Sequence, residues 1–208
     1  MKRLFAAFVG VAVVLAVPAL YKLKYPTYTY RYRMTVEVDA SGDIRSGSSV
    51  IEVTARRQPQ FLPEIGPFEI WARGQAVFIA LPGGKNIVAL LASGPQGQNA
   101  DYPTLIVHRL FHVNVEQAPS LHDRRELVAG EMPTLVTVTD PNDGASTLEV
   151  KPETLPGLLG VRLRSIEIEM TTEPPMAPDI EMRLPFLVDE CKNTLEWGFP
   201  RCPYFVRR

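Results

Sequence analysis

The sequence predicts an α+β fold, mostly antiparallel β: a short-stranded, sandwich-like single domain after an N-terminal transmembrane helix. Three observations carry that prediction. Residues 4–20, from Leu4 to Leu20, contain no charged or strongly polar side chain. Residues 27–38 alternate strictly, with Tyr28, Tyr30, Tyr32, Met34, Val36 and Val38 on one face and Thr27, Thr29, Arg31, Arg33, Thr35 and Glu37 on the other. There are 19 prolines in 208 residues, about twice the usual frequency of roughly 5%. They fall between apolar runs, which leaves short strands joined by turns and little room for long helices.

The apolar run comes first. As a helix it is roughly 26 Å long, against a hydrocarbon core of about 30 Å. Tyr21 and Leu23 can extend it, while Lys22 and Lys24 snorkel to the headgroups. A core helix of a soluble domain shows a polar face, and this run has none. Residues 1–24 therefore read as a membrane anchor, with cleavage as a signal peptide near Ala19 as the alternative. Lys22 and Lys24 just beyond that cut are unusual for an exported N-terminus and favour the anchor, with Pro18 ending the membrane helix. Positive charge flanks the run on both sides, so the positive-inside rule does not orient it.

The remainder, residues 25–208, is about 185 residues long, enough for one domain with a real core. The strict alternation makes residues 27–38 the clearest strand. The cluster Asp39-Ala-Ser-Gly-Asp43 turns the chain, and residues 48–56 return as the second arm of a hairpin. The tyrosine stripe suits a core face better than a stacking platform for sugars or bases. A proline-rich crossing at 58–67 precedes a short strand at 68–73. Residues 76–81 and 86–92 form a second hairpin around Pro82-Gly-Gly-Lys85, apolar enough for burial on both faces. Residues 104–115 fit either a helix or a strand. Residues 120–129 read as a helix with Ser120 as N-cap and Gly130 as the stop. Strands follow at 135–139 and 147–150, on either side of the turn Asp140-Pro-Asn-Asp-Gly144. One helical turn fits 152–159. The last long strand is 161–171, where Ile166, Ile168 and Met170 oppose Glu167 and Glu169, whose charges match Arg162 and Arg164 on a solvated face.

The two cysteines, Cys191 and Cys202, have Asn193, Gly198 and Pro200 between them, turn chemistry that can bring the ends together. With an export-type N-terminus, the pair reads as a disulfide, which places the domain outside the cytoplasm. The segments Tyr30-Arg-Tyr-Arg-Met-Thr-Val-Glu-Val38, Gly47-Ser-Ser-Val-Ile-Glu-Val53, Gly160-Val-Arg-Leu-Arg-Ser-Ile166 and Ile180-Glu-Met-Arg-Leu-Pro185 resemble a family of uncharacterised proteobacterial proteins. Its members have one N-terminal hydrophobic segment. The resemblance implies an anchored module and supplies neither an activity nor site residues.

Chemistry is sparse. All three histidines, His108, His112 and His122, fall in one window. On a helix His108 and His112 lie one turn apart and could share a metal with His122 or Asp123. On a strand they lie about 13 Å apart and could not. The glutamate of a metalloprotease helix is missing. Ser48, His122 and Asp123 make a triad only on paper, without a nucleophile elbow. A net charge of −1 provides no footprint for nucleic acid. The expectation is a single-pass inner-membrane protein with a periplasmic binding or structural module and no cofactor. Its partners are the bilayer, through Leu4 to Leu20, and an unidentified protein or small molecule. The alternatives are a metal-dependent hydrolase using the three histidines, and a cytoplasm-facing module gripping anionic lipid through Lys22, Lys24, Arg31 and Arg33.

Overall fold

The computed structural model describes residues 21–62, 64–177, 179–192 and 202–207. The predicted membrane run at 4–20 and the turn residues Asn193, Gly198 and Pro200 lie outside the described residues. Ten strands follow in chain order: β1 (Thr27–Ala40), β2 (Asp43–Arg57), β3 (Phe68–Gln75), β4 (Val77–Ala80), β5 (Asn86–Ser93), β6 (Arg124–Glu126), β7 (Pro133–Val138), β8 (Thr147–Val150), β9 (Arg162–Met170) and β10 (Val206–Arg207). The helices are α1 (Tyr102–Phe111), α2 (Leu155–Leu158), α3 (Ile180–Arg183), α4 (Phe186–Lys192) and α5 (Cys202–Phe205). Among the described residues no helix is long and apolar enough to cross a membrane.

All strand pairing is antiparallel. One sheet runs β10-β3-β2-β1-β9-β6 and the other β4-β5-β7-β8. The β1–β2 hairpin is longer than its apolar pattern alone implied, because the strands zip up to a two-residue turn. Ser41 and Gly42 both have positive φ, 59° and 100°, the mirror-image turn geometry that matches the twist of paired strands. The Gly42 amide donates to Asp39 Oδ1 at 2.7 Å. Tyr30, Tyr32, Met34, Val36 and Val38 are buried, as their alternation requires. They share one core with Ile51 and Val53 of β2, Ile166 and Ile168 of β9, and Val77, Ile79, Ile87 and Leu91 of the second sheet. β2 approaches β4 so closely that a Cβ on Gly47 would lie 2.6 Å from the Phe78 carbonyl oxygen.

β5 and β7 are buried along their whole length. Their second face, including Val88, Leu90, Val136 and Val138, packs under Ile180, Leu184, Phe186, Leu187 and Phe205 of the C-terminal helices. The second sheet is thus the middle layer of three, which explains its continuous apolar sequence. Buried amides finish the layer. Asn86 donates to the Val138 carbonyl at 2.7 Å and accepts from the Val138 amide at 2.9 Å, replacing strand backbone with side chain. Gln75 accepts from the amides of Asp179 and Ile180 and caps α3. Cys191 and Cys202 form a disulfide, with Cα atoms 5.1 Å apart, tying α4 to α5 above this sheet.

Two local expectations are corrected, and one that was open between helix and strand is decided. Residues 120–129 are not a helix. A short 3-10 turn at Ala118–Ser120 leads into β6, which pairs with β9 through Arg124↔Glu169 and Glu126↔Glu167. The segment offers one buried apolar side chain, Leu127, too little for a helical stripe, whereas the open edge of β9 offers a ladder of backbone partners. Of residues 104–115, those up to Phe111 belong to α1, with Pro103 in its first turn and Tyr102, Ile106, Val107, Leu110 and Phe111 as its buried stripe. His112, with φ 55° and ψ 43°, ends it in the left-handed region. The acids of β9 pair with neighbouring strands and not with Arg162 or Arg164. Glu167 meets Arg124 at 2.9 Å and Glu169 meets Arg33 at 3.4 Å, while Arg164 meets Glu37 at 3.5 Å. Arg162 and Arg164 lie three to seven residues from these acids along β9, roughly 10 Å or more, farther than the cross-strand partners.

Candidate functional site

The tyrosine stripe is what docks α1. The Tyr32 hydroxyl donates to the Pro103 carbonyl at 2.9 Å. Tyr30 Oη lies 3.0 Å from His108 Nε2 and 3.3 Å from the Thr104 carbonyl. Two residues on one strand thus reach the first turn of a helix more than seventy positions later. Burial raises the pKa of Tyr30, Tyr32 and Tyr102, so all three hydroxyls stay neutral at ordinary pH. His108 Nδ1 lies 3.2 Å from the Val113 carbonyl, which needs Nδ1 to carry a proton. In the neutral ring Nε2 is then an acceptor and the Tyr30 hydroxyl donates to it. Both nitrogens of His108 are committed within the fold.

Arg125 completes this end of α1. Its guanidinium donates to the Leu110 carbonyl at 2.8 Å and lies 5.3 Å from the Phe111 ring centre, a cation at the helix C-terminus where the dipole favours one. The sequence pattern gave Arg125 no role, because its partner is set by the β6–β9 pairing.

Two clefts are candidates for binding. One, of about 440 Å³, opens beside the first residues of β1 and is lined by Thr29, Arg31, Leu121, His122, Met170 and Thr172. The other, of about 630 Å³, lies between the second sheet and the C-terminal layer, with Leu90, Val136 and Phe205 as apolar floor and Gln98, Glu149 and Tyr204 as polar wall. Glu149 also accepts from the Gln96 amide at 2.7 Å. Both clefts combine apolar floor with a few hydrogen-bonding groups, the usual composition of a small-molecule or peptide site. Neither was legible beforehand, because each draws on segments far apart in sequence.

The other candidates are dispersed. His112 is exposed at the end of α1, and His122 is exposed on the rim of the smaller cleft. Among the described residues no three His, Cys, Asp or Glu side chains converge as a metal site. Ser48 pairs with Thr35 on β1, six residues along the strand from Thr29 at the His122 cleft, or roughly 20 Å away. Asp140 and Asp143 accept from the amides of Asn142 and Ala145 and hold their own turn. Arg31 pairs with Glu52 at 2.6 Å, and Arg33 pairs with Glu169 and Glu173. The Arg33 guanidinium holds the Glu173 carboxyl below its ordinary value. Of the four cations proposed to grip lipid, only Lys22 and Lys24 are exposed. No family model, curated protein or solved structure matches this chain.

Proposed function

We propose that the chain is a membrane-anchored module whose β-rich domain works in the periplasm by binding or scaffolding. The observation that carries the reading is the Cys191–Cys202 disulfide in a chain that also carries the uncharged run 4–20. Disulfides persist in oxidising compartments, and an uncharged run of this length partitions into lipid. Its partners are the bilayer, through Leu4 to Leu20, and a protein or small molecule at one of the two clefts. The resemblance to proteobacterial proteins with one N-terminal hydrophobic segment agrees with this reading. Alkaline phosphatase fused after Arg208 tests it: activity places the C-terminus outside the cytoplasm, and an inactive fusion overturns the reading in favour of the cytoplasm-facing module. Intact-mass measurement of membrane-extracted protein tests retention, since loss of residues 1–19 refutes the anchor.

A further inference from the structure

We infer that the β2–β3 loop, residues 58–67, is a second membrane contact whose tip, Phe61 and Leu62, enters the interfacial layer of the bilayer that holds residues 4–20. The inference rests on the anchored reading above. Topology puts the loop in place. β1 starts at Thr27, opposite Arg56 of β2, and Arg57 lies opposite Phe68 of β3. The β2–β3 loop and the entry of the chain into β1 therefore share one end of the sheet. The Arg57 amide donates to the Pro26 carbonyl at 3.0 Å, and the rings of Tyr28 and Phe68 meet with centroids 6.2 Å apart.

The loop is built rather than slack. The Gln58 amide donates to the Pro67 carbonyl at 3.0 Å and the Ile65 amide to the Leu62 carbonyl at 3.1 Å. The Gln58 and Gln60 side chains donate to the Gly66 and Ile65 carbonyls. Braced by these four hydrogen bonds, the loop holds Phe61 84% and Leu62 56% exposed. Ordered adjacent apolar side chains at a loop tip are a contact surface rather than scattered exposure.

The bilayer is the occupant because of what adjoins the tip. Tyr21–Lys24 is a helical turn, closed by the Tyr25 amide on the Tyr21 carbonyl at 2.8 Å. Leu23 on this turn is 78% exposed. Only Tyr25 and Pro26 separate it from β1, so this turn and the loop tip lie at the same end of the sheet. Lys22, Lys24 and Arg57 are exposed there, cations that suit anionic headgroups. Glu64 beside the tip is exposed and stays in the headgroup layer, which limits insertion to Phe61 and Leu62. A spanning anchor and a shallow loop contact together fix the tilt of the sheet, where the anchor alone would leave it free to swing.

The test uses the full-length chain in phosphatidylethanolamine–phosphatidylglycerol vesicles containing nitroxide-labelled lipid. A bimane probe is placed by Leu62→Cys, with Phe61→Cys as the second tip site. Ile44→Cys is the distant control, an exposed residue at the far end of β1 and β2. Leu15→Cys reports on the anchor. We expect about twofold or more quenching at Leu62 relative to Ile44, alongside quenching at Leu15. Quenching at Leu15 with both tip sites matching Ile44 overturns the loop contact and leaves the anchor standing. No quenching at any site overturns the anchor and the loop contact together. Tip probes shielded from aqueous iodide yet unquenched by labelled lipid mark a protein contact, which also overturns the inference.

Discussion

Tyr30 Oη and His108 Nε2 lie 3.0 Å apart, their rings edge to face at 79°, and join the central strand to the one long helix of the described chain. The contact makes the docking of α1 sensitive to pH. Burial lowers the His108 pKa from 6.5, and the Val113 carbonyl opposes that shift. Below 6.5 the unfolded chain takes up a proton that the folded chain refuses. The stability due to neutral His108 is complete above 6.5 and falls as pH drops towards the folded pKa. Urea midpoints between pH 7.5 and pH 5 measure it. His108→Gln should flatten the slope, and an unchanged slope would refute the assignment.

Tyr32 and Tyr102 are both buried but differ in partners. Tyr32 donates to Pro103, whereas the Tyr102 hydroxyl has no hydrogen-bond partner among the described residues. Tyr32→Phe should cost about 1 kcal/mol, and Tyr102→Phe should be neutral or stabilising by up to about 1 kcal/mol. Equal losses in equilibrium unfolding would refute the distinction.

The disulfide clamps the layer covering Val88, Leu90, Val136 and Val138. Replacing both cysteines by serine should cost about 3 kcal/mol in the chain-entropy model for a loop of this length. Reduction of the native protein should lower its denaturation midpoint by the same amount as the double variant. A midpoint insensitive to reductant would refute the clamp.

Gly47 sits where a side chain would strike the Phe78 carbonyl, whereas a Cβ at Gly157 meets nothing within 4 Å. Gly47→Ala should destabilise by about 1–3 kcal/mol, as overpacking does. Gly157→Ala should be neutral or slightly stabilising. Thermal melts of the two variants compare them directly.

Much of the fold was legible because strand periodicity is local. Alternation placed β1, β2 and β9 with the correct faces inward. The continuous apolar stretch of β5 announced burial on both sides, and Cys191 and Cys202 announced their bridge. The site was not legible. Arg125 looked like part of a helix, His108 read as a surface or capped core histidine but without its partner Tyr30, and neither cleft is a motif.

What the sequence determined by itself is which residues seek the interior and where the chain must turn, since both follow from side-chain chemistry over a few neighbours. The tertiary structure alone decided that residues 124–126 form an edge strand, that Glu167 and Glu169 pair across strands, and that His108 serves Tyr30. Each depends on a partner tens of residues away. A short polar segment has little preference of its own, so the open edge of β9 selects its conformation. A half-buried histidine takes the role that the nearest hydroxyl and carbonyl leave it.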